Sequence, residues 1–260
     1  MSNFKSRISR RRITPLLELP VRYVLSPRGI ALAIFFLHLS IGISTVAAAE
    51  ADPLEDINRP THAFNQFVDR LFVKPLAVTY QNVTPRFVKR GVSNFFSNLD
   101  DVQVAANDIL RLDLPAAATT FGRLAVNSTV GVGGLVEVAS PVFGLSKTNQ
   151  DFGLTLAHYG VEPGPYIVLP LLGPSTVRDA FGLGVDNLID PINSVNDVAT
   201  RNGVRAVQVT SYRSSVLTFD DLVIGDNYLF YREAYLQRRE SAAGMSIMLG
   251  FAFDSQESFD

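Results

Sequence analysis

Few residues of this chain could do chemistry. Beyond residue 49 the only histidines are His62 and His158. Neither the H-x-x-x-H nor the H-E-x-x-H spacing that puts two imidazoles on one helix face occurs, and His158 reads as a helix-end residue rather than a ligand. The sequence has no cysteine, which removes thiolate metal sites, a disulfide framework and the lipoprotein anchor that needs Cys at a cleavage point. Ser175, His158 and Asp179 are the residue types of a hydrolytic triad. Ser175, however, sits in "GPST" rather than a G-x-S-x-G elbow, and no S-x-x-K follows residue 49. "GVGG" over residues 131–134 lacks the full G-x-G-x-x-G phosphate-binding spacing. The acidic pairs Asp100-Asp101 and Asp220-Asp221 read as helix starts or solvated turns before they read as acid/base couples. No cofactor is implied and catalysis finds little support.

The elements that would carry such residues begin after a leader. Residues 1–49 hold a basic region, an apolar run from Gly29 to Val46 and the small-residue end Ala47-Ala48-Ala49, the order of a secretory signal peptide cleaved after Ala49. A retained membrane anchor is the alternative, since the apolar run approaches spanning length. Seven of the 23 basic residues and one of the 25 acidic ones lie in this leader, which leaves 16 against 24 and a formal charge of −8. With no basic face, nucleic acid is not an expected partner.

Helical spacing of Phe64, Phe67, Val68, Leu71 and Phe72 predicts an amphipathic helix ending near Pro75. Phe87, Val88, Val92, Phe95 and Phe96 mark a second helix, and Asp100-Asp101 would open a third with Ala105, Ile109 and Leu112 inward. Asp113 and Pro115 are suited to the cap and first turn of a fourth. A glycine-rich stretch follows Gly131, then a short helix closed by Gly160, a helix capped by Ser175 and running through Asp186, and helices over 203–222 and 226–240. Residues 50–240 thus read as one mainly α domain, with 241–260 as a tail carrying an apolar patch of no clear period. The abundant phenylalanines could fill a core or lie in a membrane interface, and periodicity does not choose between them.

Between these helices stands "YGVEPGPYIVLPLLGPSTVRD", residues 159–179. Its segment Tyr166, Ile167, Val168, Leu169, Pro170, Leu171, Leu172, Gly173 is apolar yet broken by proline and glycine. Tyr166 to Leu169 is short and strand-like, so an apolar hairpin or irregular loop is expected.

Several blocks, taken together, resemble the MlaA (VacJ) family of outer-membrane phospholipid-trafficking proteins. They are "DPLEDINRPTHAFNQFVDRLFVKPLA", "GVSNFFSNLDD", "NDILRLD", "FGRLAVNSTVGVGGLVEVA", "DFGLTLAHYGVEPGPYIVLPLLGPSTVRD" and "DNYLFYREAYLQRR", in family order over roughly residues 52 to 239. The resemblance implies a ring-shaped assembly of amphipathic helices in the periplasmic leaflet of the outer membrane. It also implies a central channel for mislocalised phospholipids, a soluble MlaC-like periplasmic carrier as recipient, and trimeric outer-membrane porins as partners. On this resemblance Phe64, Asn65 and Phe67 are expected on an early ring helix. Asn94, Phe95, Phe96, Asn98, Arg123, Asn127 and Ser128 are expected to line or brace the ring, and Tyr166 to Gly173 to gate it. Arg232, Glu233 and Tyr235 read as structural. The best-studied branch of the family is lipid-anchored through a cysteine, and here the corresponding region reads "AAAEADP". A periplasmic scaffold that touches porins or peptidoglycan, and an exported lipid hydrolase, remain open as other classes.

Overall fold

The computed structural model describes residues 52–254, with side chains through Gly244. The expected signal peptide lies outside the described residues, as does the end of the C-terminal tail. Helices dominate: α1 Glu55–Val68, α2 Lys74–Val83, α3 Arg86–Leu110, α4 Leu114–Thr129, α5 Ala139–Phe143, α6 Phe152–His158, α7 Val177–Ile189, α8 Val198–Ser215 and α9 Asn227–Asp254. The strands β1 Tyr166–Leu169 and β2 Gly173–Thr176 form one antiparallel hairpin, with Tyr166 opposite Thr176 and Leu169 opposite Gly173.

The chain does not stop before Pro75. A π-helical turn, Asp69–Val73, joins α1 to α2 and widens the helix by one residue, so that Pro75 enters the first turn of α2, where its missing N–H is not needed. Nor does a helix open at Asp100: α3 runs unbroken for 25 residues. No glycine or proline interrupts it there, and Asp101 is stabilised by cations from other segments rather than by a helix terminus. Caps elsewhere follow side-chain chemistry. Asp113 accepts from Ala116 N, Asp151 from Leu154 N, Thr176 from Asp179 N and Asp197 from Thr200 N. The cap of α7 thus falls one residue beyond Ser175, at Thr176, which is also the last residue of β2. A 3₁₀ segment, Leu217–Leu222, separates α8 from α9. Helix α9 also continues past residue 240 to Asp254, through part of the expected tail.

Packing between elements closes on itself: α1 and the π-turn lead to α2, α2 packs on α8, α8 on α3, α3 on α6, α6 on α7, α7 on β1, and β1 returns to α1. The apolar core is small and sits where α9 crosses the hairpin, with Tyr166, Val168 and Tyr228 buried against Tyr235 and Leu236. Elsewhere the interior mixes small apolar side chains such as Val104 and Ala105 with many polar ones. Asp101, Asn107, Asp108, Thr120 and Thr176 are among the most completely buried side chains. Such burial is tolerable only with partners. Asn107 donates to Asp186 at 2.9 Å and accepts from the Thr155 hydroxyl at 2.8 Å, while Thr120 donates to Asp108 at 2.8 Å. Large apolar side chains point outward instead, among them Phe67 at 61 %, Phe72 at 57 % and Phe87 at 77 % exposure.

Candidate functional site

Helices α2, α3 and α8 and the turn of the hairpin line an open cavity of about 880 Å³. Each element contributes one stripe. From α3 come Arg86, Lys89, Arg90, Ser93, Phe96, Ser97 and Asp100, spaced to share a face. From α8 come Gln208, Ser211, Tyr212, Ser214 and Ser215, from α2 Tyr80 and Gln81, and from the hairpin turn Leu171 and Leu172. The wall is therefore mixed: cations at the start of α3, hydroxyls along α8, and leucines at the hairpin tip.

Two of its cations are engaged. Lys89 Nζ donates to the Gln81 carbonyl at 2.9 Å. Lys147 donates to the Ser97 carbonyl at 2.8 Å and bridges Asp100 and Asp101 at 2.9 Å each. Arg86 and Arg90 have no hydrogen bond or ion pair among the described residues. They contrast with Arg59, Arg123, Arg178, Arg205, Arg213, Arg232 and Arg239, all of which pair with carboxylates.

The hairpin tip is held from α1. Asn58 and Asn65 lie two turns apart on one helix face, and each binds the edge of the hairpin with both ends of its amide. Asn58 donates to the Tyr166 carbonyl at 3.0 Å and accepts from Val168 N at 2.8 Å. Asn65 donates to the Leu169 carbonyl at 2.9 Å and accepts from Leu171 N at 2.7 Å. Leu171 itself has φ +64°, a left-handed conformation that L side chains avoid, and is 67 % exposed. Gly173, at φ +87°, supplies the second left-handed residue that brings β2 back along β1.

Of the residues singled out from sequence, Phe96, Leu171 and Leu172 line the cavity. Phe95 faces a separate apolar slot between α3 and α8. Phe64 and Phe67 are exposed on α1, beside Asn65. A second group lies away from the cavity, where it stitches α3, α4 and the glycine-rich loop together. Asn94 donates to the Leu135 carbonyl at 3.1 Å, and Asn98 donates to the Ser128 hydroxyl at 3.0 Å. The side-chain oxygen of Asn127 accepts from Val138 N and Ala139 N, both at 2.9 Å, and so starts α5. Buried Arg123 reaches Asp101 at 3.2 Å, Glu137 at 3.1 Å, and the Ser140 hydroxyl and Leu145 carbonyl at 2.7 Å each. Within the hairpin, Tyr166 and Val168 are buried, Ile167 and Leu169 are partly covered, and Pro170 is exposed at the turn. Sequence reasoning missed the α8 stripe and Asn58. The stripe was legible as Gln208, Ser211 and Ser215 at helical spacing, whereas Asn58 carried no distinguishing signal.

The residues of the notional triad are dispersed into other roles. Ser175 Oγ donates to the Thr176 carbonyl at 3.2 Å. Asp179 is bound by Arg239, Tyr235 and Arg178 at 2.8, 2.7 and 2.9 Å. His158 packs edge-on against Tyr159, and burial together with the charge of Arg111 pushes its pKa down. Among the described residues no cluster of histidines and carboxylates could hold a metal ion.

Comparison with known proteins gives this geometry a context. The model of the family described as MlaA lipoprotein matches residues 50–242. An uncharacterized protein of Rickettsia felis is 39 % identical over 195 residues, covering 74 % of this chain and 77 % of the relative. The intermembrane phospholipid transport system lipoprotein MlaA of Escherichia coli (strain K12) is 34 % identical over 199 residues, covering 74 % of this chain and 78 % of that protein. A solved structure reported as "Structural basis for maintenance of bacterial outer membrane lipid asymmetry" superposes with a TM-score of 0.66 at 34 % identity, over 75 % of this chain and 100 % of that one. The extent of the family match, the identities and the shared helical architecture lead to one conclusion: this chain belongs to the MlaA family.

Proposed function

We propose that the chain works in intermembrane phospholipid transport and maintains the lipid asymmetry of a bacterial outer membrane. It would do so by taking mislocalised phospholipids from the outer leaflet through the cavity to the periplasm. The observation that carries this reading is the mixed wall of the 880 Å³ cavity, set in a domain whose large apolar side chains face outward. A charged headgroup in bare hydrocarbon costs on the order of 3 kcal/mol or more. The arginines and hydroxyls of α3 and α8 offer it a hydrated path, while the exposed phenylalanines of α1, the π-turn and α3 are suited to acyl chains. The closed circuit of packing supports a ring around that path.

Under this reading the protein sits in the periplasmic leaflet of the outer membrane. No helix among the described residues is long and apolar enough to cross a membrane. The 260 residues contain no cysteine to carry an acyl anchor, so within them membrane residence falls to the apolar faces or to a retained segment 29–46. Cargo passes without covalent change, to a soluble MlaC-like carrier and beside trimeric porins, as the family resemblance implies. The hairpin Tyr166 to Gly173 acts as the movable wall of the path. Phe96 lines it, and Asn94, Asn98, Arg123, Asn127 and Ser128 brace it from behind.

Lipid distribution in a deletion strain tests the reading. Phospholipid should accumulate in the outer leaflet, and re-expression of the chain should clear it. Normal asymmetry and normal detergent resistance in the deletion strain would overturn the proposal. Release of free fatty acid that is lost on Ser175→Ala would replace it with hydrolysis.

A further inference from the structure

Two hollows share one residue. The polar cavity and the slot between α3 and α8 are both lined by Phe96, which stands at their junction with its ring edge-on to Phe95 at 5.4 Å. The slot holds about 330 Å³, and its remaining lining includes Val92, Leu135, Gly203, Val204 and Val207, almost wholly apolar. On α3 the two surfaces are neighbouring stripes: Arg86, Arg90, Ser93 and Ser97 face the cavity, while Val92 and Phe95 face the slot. Along the helix axis Arg90 and Phe96 are separated by roughly 9 Å.

An amphipathic occupant with an anionic head and an apolar arm would satisfy both. Arg86 and Arg90 are the cavity's unpaired guanidiniums, one turn apart, and a phosphodiester accepts from such a pair with charge-assisted hydrogen bonds. Thr200 is the one polar residue type in the slot's lining, and the surface it presents is otherwise apolar, so the slot suits hydrocarbon. We infer that the slot between α3 and α8 takes one acyl chain of a glycerophospholipid whose phosphate lies against Arg86 and Arg90 in the adjoining cavity. The inference rests on the transport reading above. It adds the orientation of the cargo: headgroup toward the start of α3, and one chain leaving sideways at Phe96 rather than lying along the hydrated path.

Gly203 makes the slot testable. A Cβ built there meets nothing within 4 Å, so Gly203→Leu fills the slot without a backbone clash and in a helix that gains from losing glycine. The full chain is placed in phosphatidylethanolamine vesicles that carry traces of either of two probes. One is a phosphatidylglycerol with a diazirine in one acyl chain; the other is the diacylglycerol with the same chain. The phosphatidylglycerol probe should label Val204 and Val207 about tenfold more than the diacylglycerol probe. Gly203→Leu should remove that labelling, and Arg86→Glu with Arg90→Glu should remove the preference for the phosphate-bearing probe. Equal labelling by the two probes would mean that the slot merely touches bulk lipid and would overturn the inference. Unchanged slot labelling in Gly203→Leu would overturn it too. Lipid transfer from the same vesicles separates the two readings. Transfer by the wild-type chain with an unlabelled slot sinks only the slot, whereas a phosphate-dependent labelled slot without transfer sinks only the transport reading.

Discussion

Asn65 grips Leu171. Its side-chain oxygen accepts the Leu171 amide at 2.7 Å while its nitrogen donates to the Leu169 carbonyl at 2.9 Å, so one amide on α1 straddles the turn of the hairpin. The left-handed conformation of Leu171 costs roughly 1–2 kcal/mol for a residue with a Cβ, and these two bonds help hold it. With Leu171 so placed, its side chain lines the cavity instead of folding back on the strands. The position of the proposed gate thus depends on a contact outside the gate.

Asn65→Ala should therefore loosen the tip before it unfolds the domain. Two partly exposed hydrogen bonds are lost, a stability cost of about 1–2 kcal/mol. The rest of the hairpin keeps its pairing and the Asn58 clamp. The urea midpoint of the purified protein should fall slightly, while phospholipid distribution in cells carrying only this variant should change clearly. Asn65→Asp keeps the acceptor for Leu171 N but sets a carboxylate against the Leu169 carbonyl, and should behave like the alanine. An unaltered lipid distribution in both variants would remove the latch from the mechanism.

What was legible in the sequence follows from locality. The hairpin was readable because proline and glycine bracket four apolar residues, and Tyr166–Leu169 is the strand that forms. Asp113 was readable as a cap because its partner lies three residues on. Local signals failed where a distant partner decides. Asp101 looked like a helix start, yet Arg123 and Lys147, remote in the chain, let it sit in the middle of α3. Pro75 looked like a stop, but one extra residue in a π-turn shifted its register. The cavity draws its wall from four elements, and no single stretch of sequence carries a pattern for that. Only the abundance of phenylalanine hinted that apolar faces would point outward.

Gly182 and Gly184 should respond oppositely to alanine. A Cβ on Gly182 would lie 2.4 Å from Gly153 N and 2.9 Å from its Cα, where α6 and α7 touch through bare backbone. Neither helix can yield, because Asp151 and Asp179 are both tied to Arg239 across that contact. Gly182→Ala should cost about 1–3 kcal/mol, the range for overpacking. A Cβ on Gly184 meets nothing within 4 Å, and Gly184→Ala should gain up to about 1 kcal/mol of helix propensity. Chemical unfolding of the pair checks the crossing, and equal effects would refute it.

Arg123 is a multiply bonded buried cation that joins α3, the loop before α5 and the loop after it. Arg123→Met removes the charge but keeps much of the volume. It should still destabilise by about 3–5 kcal/mol, because Asp101 stays buried with Lys147 as its only remaining ionic partner among the described residues. Adding Asp101→Asn should recover part of that loss, since the fully buried carboxylate is then gone and only the partly exposed Glu137 has lost its partner. Additive losses in the double variant, measured by urea unfolding, would show that the two residues act independently.

Acid should weaken the junction of α6, α7 and α9 through Asp179. Burial alone would push this carboxyl up, but the hydrogen bonds from Arg239 and Tyr235 and the Arg239 charge outweigh it and hold the pKa below the usual range. A depressed folded pKa means that the unfolded state binds the proton first. The stabilisation is therefore complete above about pH 4, near the unfolded value, and is lost as pH falls through the folded pKa. Asp186 and Asp108 run the other way. Burial raises both, so their contribution is complete below the unfolded value and is lost as pH rises through their folded pKa. Comparing wild type with Asp179→Asn cancels those two groups. The stability difference between the proteins should shrink as pH drops from about 5 to about 3. A difference that holds constant over that range would mean that Asp179 does not carry the acid response.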